Sequence, residues 1–190
     1  PDSKEKHIWS GLYGASRALA IAQSIYARQS HAVCIVADAQ RALALKNEIA
    51  FFQPNVTVCT FPDWETLPYD RFSPYQDIVS ERLATLVGLK QNATALTVIT
   101  SNTLMHKLPP KKWVYGESFH LKEGEELDRE QFRSRLDRAG YRAVIQVAEH
   151  GDFAIRGSLI DVFPMGAKYP FRIDLFDNQI DSLRSFDIDS

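Results

Sequence analysis

Ala32-Val33-Cys34-Ile35-Val36-Ala37-Asp38 decides how the first half of the chain is read. An unbroken apolar run, rich in β-branched residues, describes a short buried strand. Asp38 directly after it is a good helix N-cap, because its carboxylate can accept from the free N–H groups of the first turn. The helix it opens carries Ala42, Leu43, Ile49 and Ala50 on its apolar face and stops at Pro54-Asn55. Working outward, residues 16–29 put Ala18, Leu19, Ala22, Ile25 and Tyr26 on one helical face. Residues 56–61 and 96–100 are further apolar strands, and Asp77 is expected to cap a third helix bearing Ile78, Val79, Arg82, Leu83, Leu86 and Leu89. Ser101-Asn102 begins a short helical turn stopped by Pro109-Pro110. Strands that alternate with helices predict a parallel sheet with covering helices. The strands should be buried as near-continuous apolar runs.

After Gly116 the pattern changes. Residues 119–121 alternate weakly, and Asp128 caps a helix running to Ala139, with Phe132 and Leu136 on one face and Gly140 as the C′ residue. Short strands follow at 143–148, 153–156, 158–163, 170–176 and 179–186. His150-Gly151-Asp152, Gly166-Ala167 and Asp177-Asn178 supply the turns between them. The expected fold class is therefore α/β over residues 1–116, followed by a smaller α+β domain with an antiparallel sheet over residues 117–190.

The chain has 190 residues, 45% of them hydrophobic and 24% charged, with a formal net charge of −2. That balance excludes a disordered or collagen-like chain. The apolar runs are far shorter than the roughly 20 residues a membrane helix requires. A near-neutral chain also argues against a dedicated nucleic-acid binder, whose domain is usually basic. Cys34 and Cys59 sit in β-branched apolar runs and read as buried thiols in a reducing compartment. With no apolar leader segment, the expected location is the cytoplasm. The start at Pro1 without Met and the stop at Ser190 read as a fragment of something longer.

Catalytic chemistry finds little support in the residues. Gly11-Leu12-Tyr13-Gly14-Ala15-Ser16-Arg17-Ala18 occupies the place of a phosphate loop. A working loop needs a Lys for the terminal phosphates and a Ser or Thr for magnesium. Here those positions hold Arg17 and Ala18, and Ala18 has no oxygen to offer. His7, His31, His106, His120 and His150 show no metal-ligand spacing and read as surface or turn residues. Ser158 and Asp161 lie near Arg156 without a histidine, so no nucleophilic triad follows. Arg129, Arg133, Arg135 and Arg138 share their helix with Asp128, Glu130 and Asp137, which reads as a salt-bridged solvent face. In residues 62–74 three prolines forbid a regular helix or central strand. The aromatics Trp64, Tyr69, Phe72 and Tyr75 could stack on bases, but Asp63, Glu65, Asp70 and Asp77 outnumber Arg71 and repel a phosphate backbone. The segment is expected to pack over a sheet edge or against another part of a longer protein.

Two stretches are more specific. One is Phe61-Pro62-Asp63-Trp64-Glu65-Thr66-Leu67-Pro68-Tyr69-Asp70-Arg71-Phe72-Ser73-Pro74. The other is Gly140-Tyr141-Arg142, then Glu149-His150-Gly151-Asp152-Phe153-Ala154-Ile155-Arg156-Gly157-Ser158-Leu159-Ile160-Asp161-Val162-Phe163-Pro164-Met165-Gly166, continued by Pro170-Phe171-Arg172-Ile173-Asp174-Leu175-Phe176-Asp177. Together they resemble the N-terminal, UvrB-homologous region of the bacterial transcription-repair coupling factor family (Mfd), over essentially the whole chain. More loosely they resemble the excision-repair subunit UvrB. The resemblance implies a degenerate RecA-like first domain and a second domain that docks onto UvrA. UvrB has an intact phosphate loop and a long aromatic hairpin that grips DNA. This chain lacks the Lys and Ser/Thr, and Tyr75 leads almost at once into the Asp77 helix, leaving no room for the hairpin.

What the resemblance implies is a non-catalytic adaptor that recruits UvrA in nucleotide excision repair, with no cofactor and no metal. ATP, magnesium, DNA and RNA polymerase would be handled by motor and polymerase-binding parts outside this chain. Other domains of the same full-length protein would be further partners. The UvrA-binding residues it points to are Arg156, Arg172 and Phe176. Alternation along that strand puts Phe171, Ile173 and Leu175 on a core face and Arg172, Asp174 and Phe176 on the opposite one. The alternatives are a divergent nucleotide-binding motor domain and a direct DNA-binding module.

Overall fold

The computed structural model describes residues 7–66, 70–91, 94–116 and 120–188. Leu67, Pro68 and Tyr69 of the proline-rich segment, and Phe119 of the weakly alternating stretch, lie outside the described residues. The chain divides into two compact units, Pro1–Phe61 with Gln91–Leu104, and Pro62–Lys90 with Met105–Ser190.

The first unit is built on a parallel sheet. β1 (Ala32–Val36) and β2 (Thr57–Phe61) both pair in parallel with β3 (Ala95–Thr100), which lies between them. Helices α1 (Ser16–Arg28) and α2 (Ala39–Phe52) contribute Ala18, Ala22, Ile25, Ala42, Leu45 and Ile49 to one core with Val56, Leu96 and Val98. Asp38 caps α2 as its position predicts, accepting from the Arg41 N–H at 2.7 Å. The helical faces are narrower than the periodicity alone implies. Leu45, not Leu43, turns inward on α2, and Leu19 and Tyr26 of α1 are exposed. Burial along the strands also departs from the expected continuous runs. Only β3 is buried almost throughout. β1 alternates, with Val33 and Ile35 60% and 54% exposed, because α1 and α2 pack against the face that carries Ala32, Cys34 and Val36.

The second unit holds a five-stranded sheet in the order β4-β5-β6-β7-β8. The strands are β4 (Arg142–Ala143), β5 (Asp152–Arg156), β6 (Leu159–Val162), β7 (Phe171–Phe176) and β8 (Gln179–Ser185). β4 joins β5 in parallel and the other pairings are antiparallel. β4 is far shorter than residues 143–148 imply. From Val144 onward the chain is held by local bonds around Asp152, whose carboxylate accepts from the Ala148 and Glu149 N–H groups. Helix α6 (Arg129–Arg138) starts at Asp128, which accepts from the Gln131 N–H. Its other end is a Schellman motif: Gly140 sits at φ 86°, the Tyr141 N–H bonds the Leu136 carbonyl and the Gly140 N–H bonds that of Asp137. Phe132 and Leu136 pack into the main core of this unit with Phe153, Ile160, Val162, Ile173, Leu175 and Ile180.

Two further helices belong to this unit, α3 (Gln76–Gln91) and α5 (Lys111–Gly116), while α4 (Ser101–Leu104) belongs to the first. α5 begins just after the prolines, which start a helix as readily as they end one. Asp77 lies inside the first turn of α3 and bonds the His150 ring at 2.8 Å. His150 stands in a turn, as its sequence position suggests, with its ring largely withdrawn from solvent. Its other nitrogen meets the Ala167 carbonyl at 2.9 Å, and its ring lies 3.9 Å from that of Phe163. One turn along α3, the Ser80 hydroxyl accepts from the Gly166 N–H. Among the described residues no helix is long and apolar enough to cross a membrane.

Phe132, on the core side of α6, is 1% exposed, so Phe132→Ala should lower stability by about 3–5 kcal/mol in urea unfolding. Phe51→Ala, which removes an equally large but exposed ring, should change it by less than about 0.5 kcal/mol.

Candidate docking site

The site begins with one residue in the wrong company. β6 reads Leu159-Ile160-Asp161-Val162, and Asp161 is only 2% exposed. Directly opposed residues of neighbouring strands carry their side chains on the same face. The register therefore aligns Ala154 of β5, Asp161 of β6, Arg172 of β7 and Arg184 of β8 in one row across the sheet. That face is opposite to the one α6 covers, which holds Phe153, Ile160 and Ile173.

The Asp161 carboxylate accepts three charge-assisted hydrogen bonds. Arg172 grips it side-on, with Nε donating to Oδ1 at 2.6 Å and Nη2 to Oδ2 at 2.8 Å. Arg156, on the other flanking strand, donates from Nη2 to the same Oδ2 at 2.6 Å. Burial alone would push the Asp161 carboxyl up. The hydrogen bonds and charges of Arg172 and Arg156 outweigh it and hold the group below the ordinary carboxylate range. The bond to Asp161 raises Arg172 in return. The guanidinium of Arg172 also lies 5.1 Å from the centre of the Phe186 ring.

Both arginines remain accessible: their side chains are 54% (Arg156) and 33% (Arg172) exposed, against 3% for Asp161. Arg156 ends β5 at a tight turn, where Gly157 takes φ 60° and its carbonyl accepts from Nη1 of Arg129 at 2.9 Å. Arg129 therefore anchors the turn and does not merely decorate a solvent face. Phe176 ends β7 and is 73% exposed. It pairs with Gln179 across a two-residue loop in which Asp177 adopts φ 55°. Leu175 and Ile180, buried on the other face, hold the base of that hairpin.

The structure thus brings Arg156 and Arg172 together on one carboxylate and leaves Phe176 exposed at the end of the Arg172 strand. Sequence reasoning missed Asp161. The available signal was an acidic residue inside an apolar strand, which stays charged only when paired. Asp174, two residues from Arg172 along β7, meets Arg184 loosely at 4.0 Å. Phe72 and Tyr75 of the aromatic segment are exposed, whereas Trp64 lies against Arg82 at 3.9 Å. Among the described residues no group of three His, Cys, Asp or Glu side chains could hold a metal ion.

A lowered carboxyl pKa adds stability above the ordinary carboxylate range and loses it as the pH falls through the folded value. Urea unfolding at a series of pH values should show Asp161→Asn less stable than the parent near neutrality. The gap should close below about pH 4, where the other carboxylates cancel in the difference. A gap that stays constant into acid would show that the carboxylate charge is not what holds the cluster.

Comparison with known proteins returns the family that the motifs resemble. Residues 119–190 match the family model described as UvrB interaction domain. Over 186 residues, 98% of this chain, it is 45% identical to a transcription-repair-coupling factor of Escherichia coli (strain K12), covering 16% of that protein. It is 43% identical over 97% of its length to the transcription-repair-coupling factor of Haemophilus influenzae, again 16% of that protein. With the Staphylococcus aureus (strain USA300) protein of the same name the identity is 28% over 95% of this chain and 15% of the relative. The chain therefore spans about a sixth of the length of the curated relatives it matches.

Proposed function

We propose, taking as premise the similarity of this chain to the UvrB-like region of transcription-repair-coupling factors, that it is a non-catalytic docking module that recruits UvrA in transcription-coupled repair. The observation that carries this reading is the pairing of Arg156 and Arg172 on buried Asp161, with exposed Phe176 on the same strand as Arg172. Arginine next to an exposed aromatic is the composition of a protein-binding hot spot. The half-exposed guanidinia would bond acidic groups of the partner, and Phe176 would enter an apolar pocket. The match of residues 119–190 to an interaction domain supports the same reading.

The module works without nucleotide. Ala18, which stands where a phosphate loop needs Ser or Thr, is a fully buried residue of α1 packed into the core. RNA polymerase, DNA and ATP are engaged by the parts of the longer protein that this span does not include, and the whole acts in the cytoplasm.

Calorimetric titration with purified UvrA tests the proposal. Arg156→Ala, Arg172→Ala and Phe176→Ala should each weaken binding by on the order of 2 kcal/mol, while Arg133→Ala on the exposed side of α6 leaves it unchanged. Parent binding that survives all three substitutions would move the site elsewhere. A folded parent that does not bind would refute the choice of partner.

A further inference from the structure

We propose that Asp161 is a positioning residue of the docking site: it holds Arg156 and Arg172 side by side as a preordered pair that receives an acidic group of the partner. The inference rests on the docking reading above and adds to it the residue that makes the two arginines act as one receptor.

Two guanidinium groups on the strands that flank β6 repel each other and, left alone, would splay into solvent. Here both Nη2 atoms donate to a single oxygen, Oδ2 of Asp161. Arg172 is fixed further by Nε on Oδ1 and by the Phe186 ring beneath its guanidinium. These bonds use Nε and Nη2 of Arg172 and Nη2 of Arg156. Nη1 of Arg172, and Nε and Nη1 of Arg156, are left outside the Asp161 cluster. Association normally has to order long, rotamer-rich side chains, and preordering removes that cost. The cluster carries one net positive charge, so it still favours an acidic ligand.

By charge alone, Asp161→Asn removes a negative group from a basic docking face and should strengthen binding to an acidic partner. By position, it frees both arginines and should weaken it. The first measurement needs no variant and no partner: solvent exchange of the arginine Nε–H groups in the 190-residue chain, followed by nitrogen-15 NMR. Arg172 Nε–H should exchange at least about tenfold more slowly than Arg184 Nε–H, whose contact with Asp174 is loose. Equal rates would overturn the proposal. If the parent failed to bind UvrA, the choice of partner would fall, and this exchange result would still decide the role of Asp161.

The second measurement is UvrA titration of the Asp161→Asn chain, with the NMR spectrum confirming that it is folded. Binding should weaken about tenfold, and the substitution should have no further effect in an Arg156→Ala/Arg172→Ala background. Unchanged or tighter binding, or the same loss in that background, would overturn the proposal, the last by showing that Asp161 acts through the fold alone. Arg172→Lys is the second variant. It keeps the charge but cannot make the two-pronged bond, and it should weaken binding about as much as Arg172→Ala; retained affinity would overturn the proposal.

Discussion

A carboxylate withdrawn from water has to bring its counter-charges with it, and in the second unit that requirement organises the sheet. Asp161 sits on the central strand, and its two arginines come from the strands on either side. The three bonds therefore cross-link β5, β6 and β7 in a single register. Because side chains alternate with a period of two, a slip of one residue in β6 would drive Asp161 into the apolar core under α6 and bring Ile160 out. Arg142 and Asp152 add a charged link between β4 and β5. The Asp161 row tolerates no such slip, and so it helps to specify how the strands align.

The long signature stretch around Glu149–Gly166 divides between architecture and surface. His150 and Gly166 bind the start of α3 to the sheet unit through Asp77 and Ser80. Asp152 closes the loop before β5 with two backbone N–H bonds and a pair with Arg142. Gly151 takes φ 83°, and a side chain there would meet Met165 at 2.7 Å. Arg156, with Arg172 and Phe176 beyond the stretch, is both anchored below and open above. A motif of this length therefore advertises a fold first.

Local chemistry was readable from the chain and long-range pairing was not. Asp38, Asp128 and Gly140 act where their residue types and positions say they should, because a cap needs only its own helix. The core face of β7 was equally legible, since Phe171, Ile173 and Leu175 alternate with Arg172, Asp174 and Phe176. By contrast, no local rule says that α1 and α2 share one face of the parallel sheet, and so the alternation of β1 was missed. The partners of Asp161 and His150 are likewise set by strand register and helix placement. Those residues read as unremarkable polar positions until the sheet is assembled.

The near-neutral charge of the chain bears on how such a site can discriminate. A strongly basic face attracts any polyanion over a Debye length, and salt screens that attraction. Here one positive charge survives from three ionised groups, and the neighbouring Asp174 and Arg184 balance each other. Long-range steering is correspondingly weak, so selection has to occur at contact. At that range what matters is the direction of the free guanidinium N–H groups and the fit of one exposed ring. Both are fixed from beneath, by Asp161 under the arginines and by Leu175 and Ile180 under the Phe176 hairpin. On the proposed docking reading, a surface built in this way trades reach for geometry.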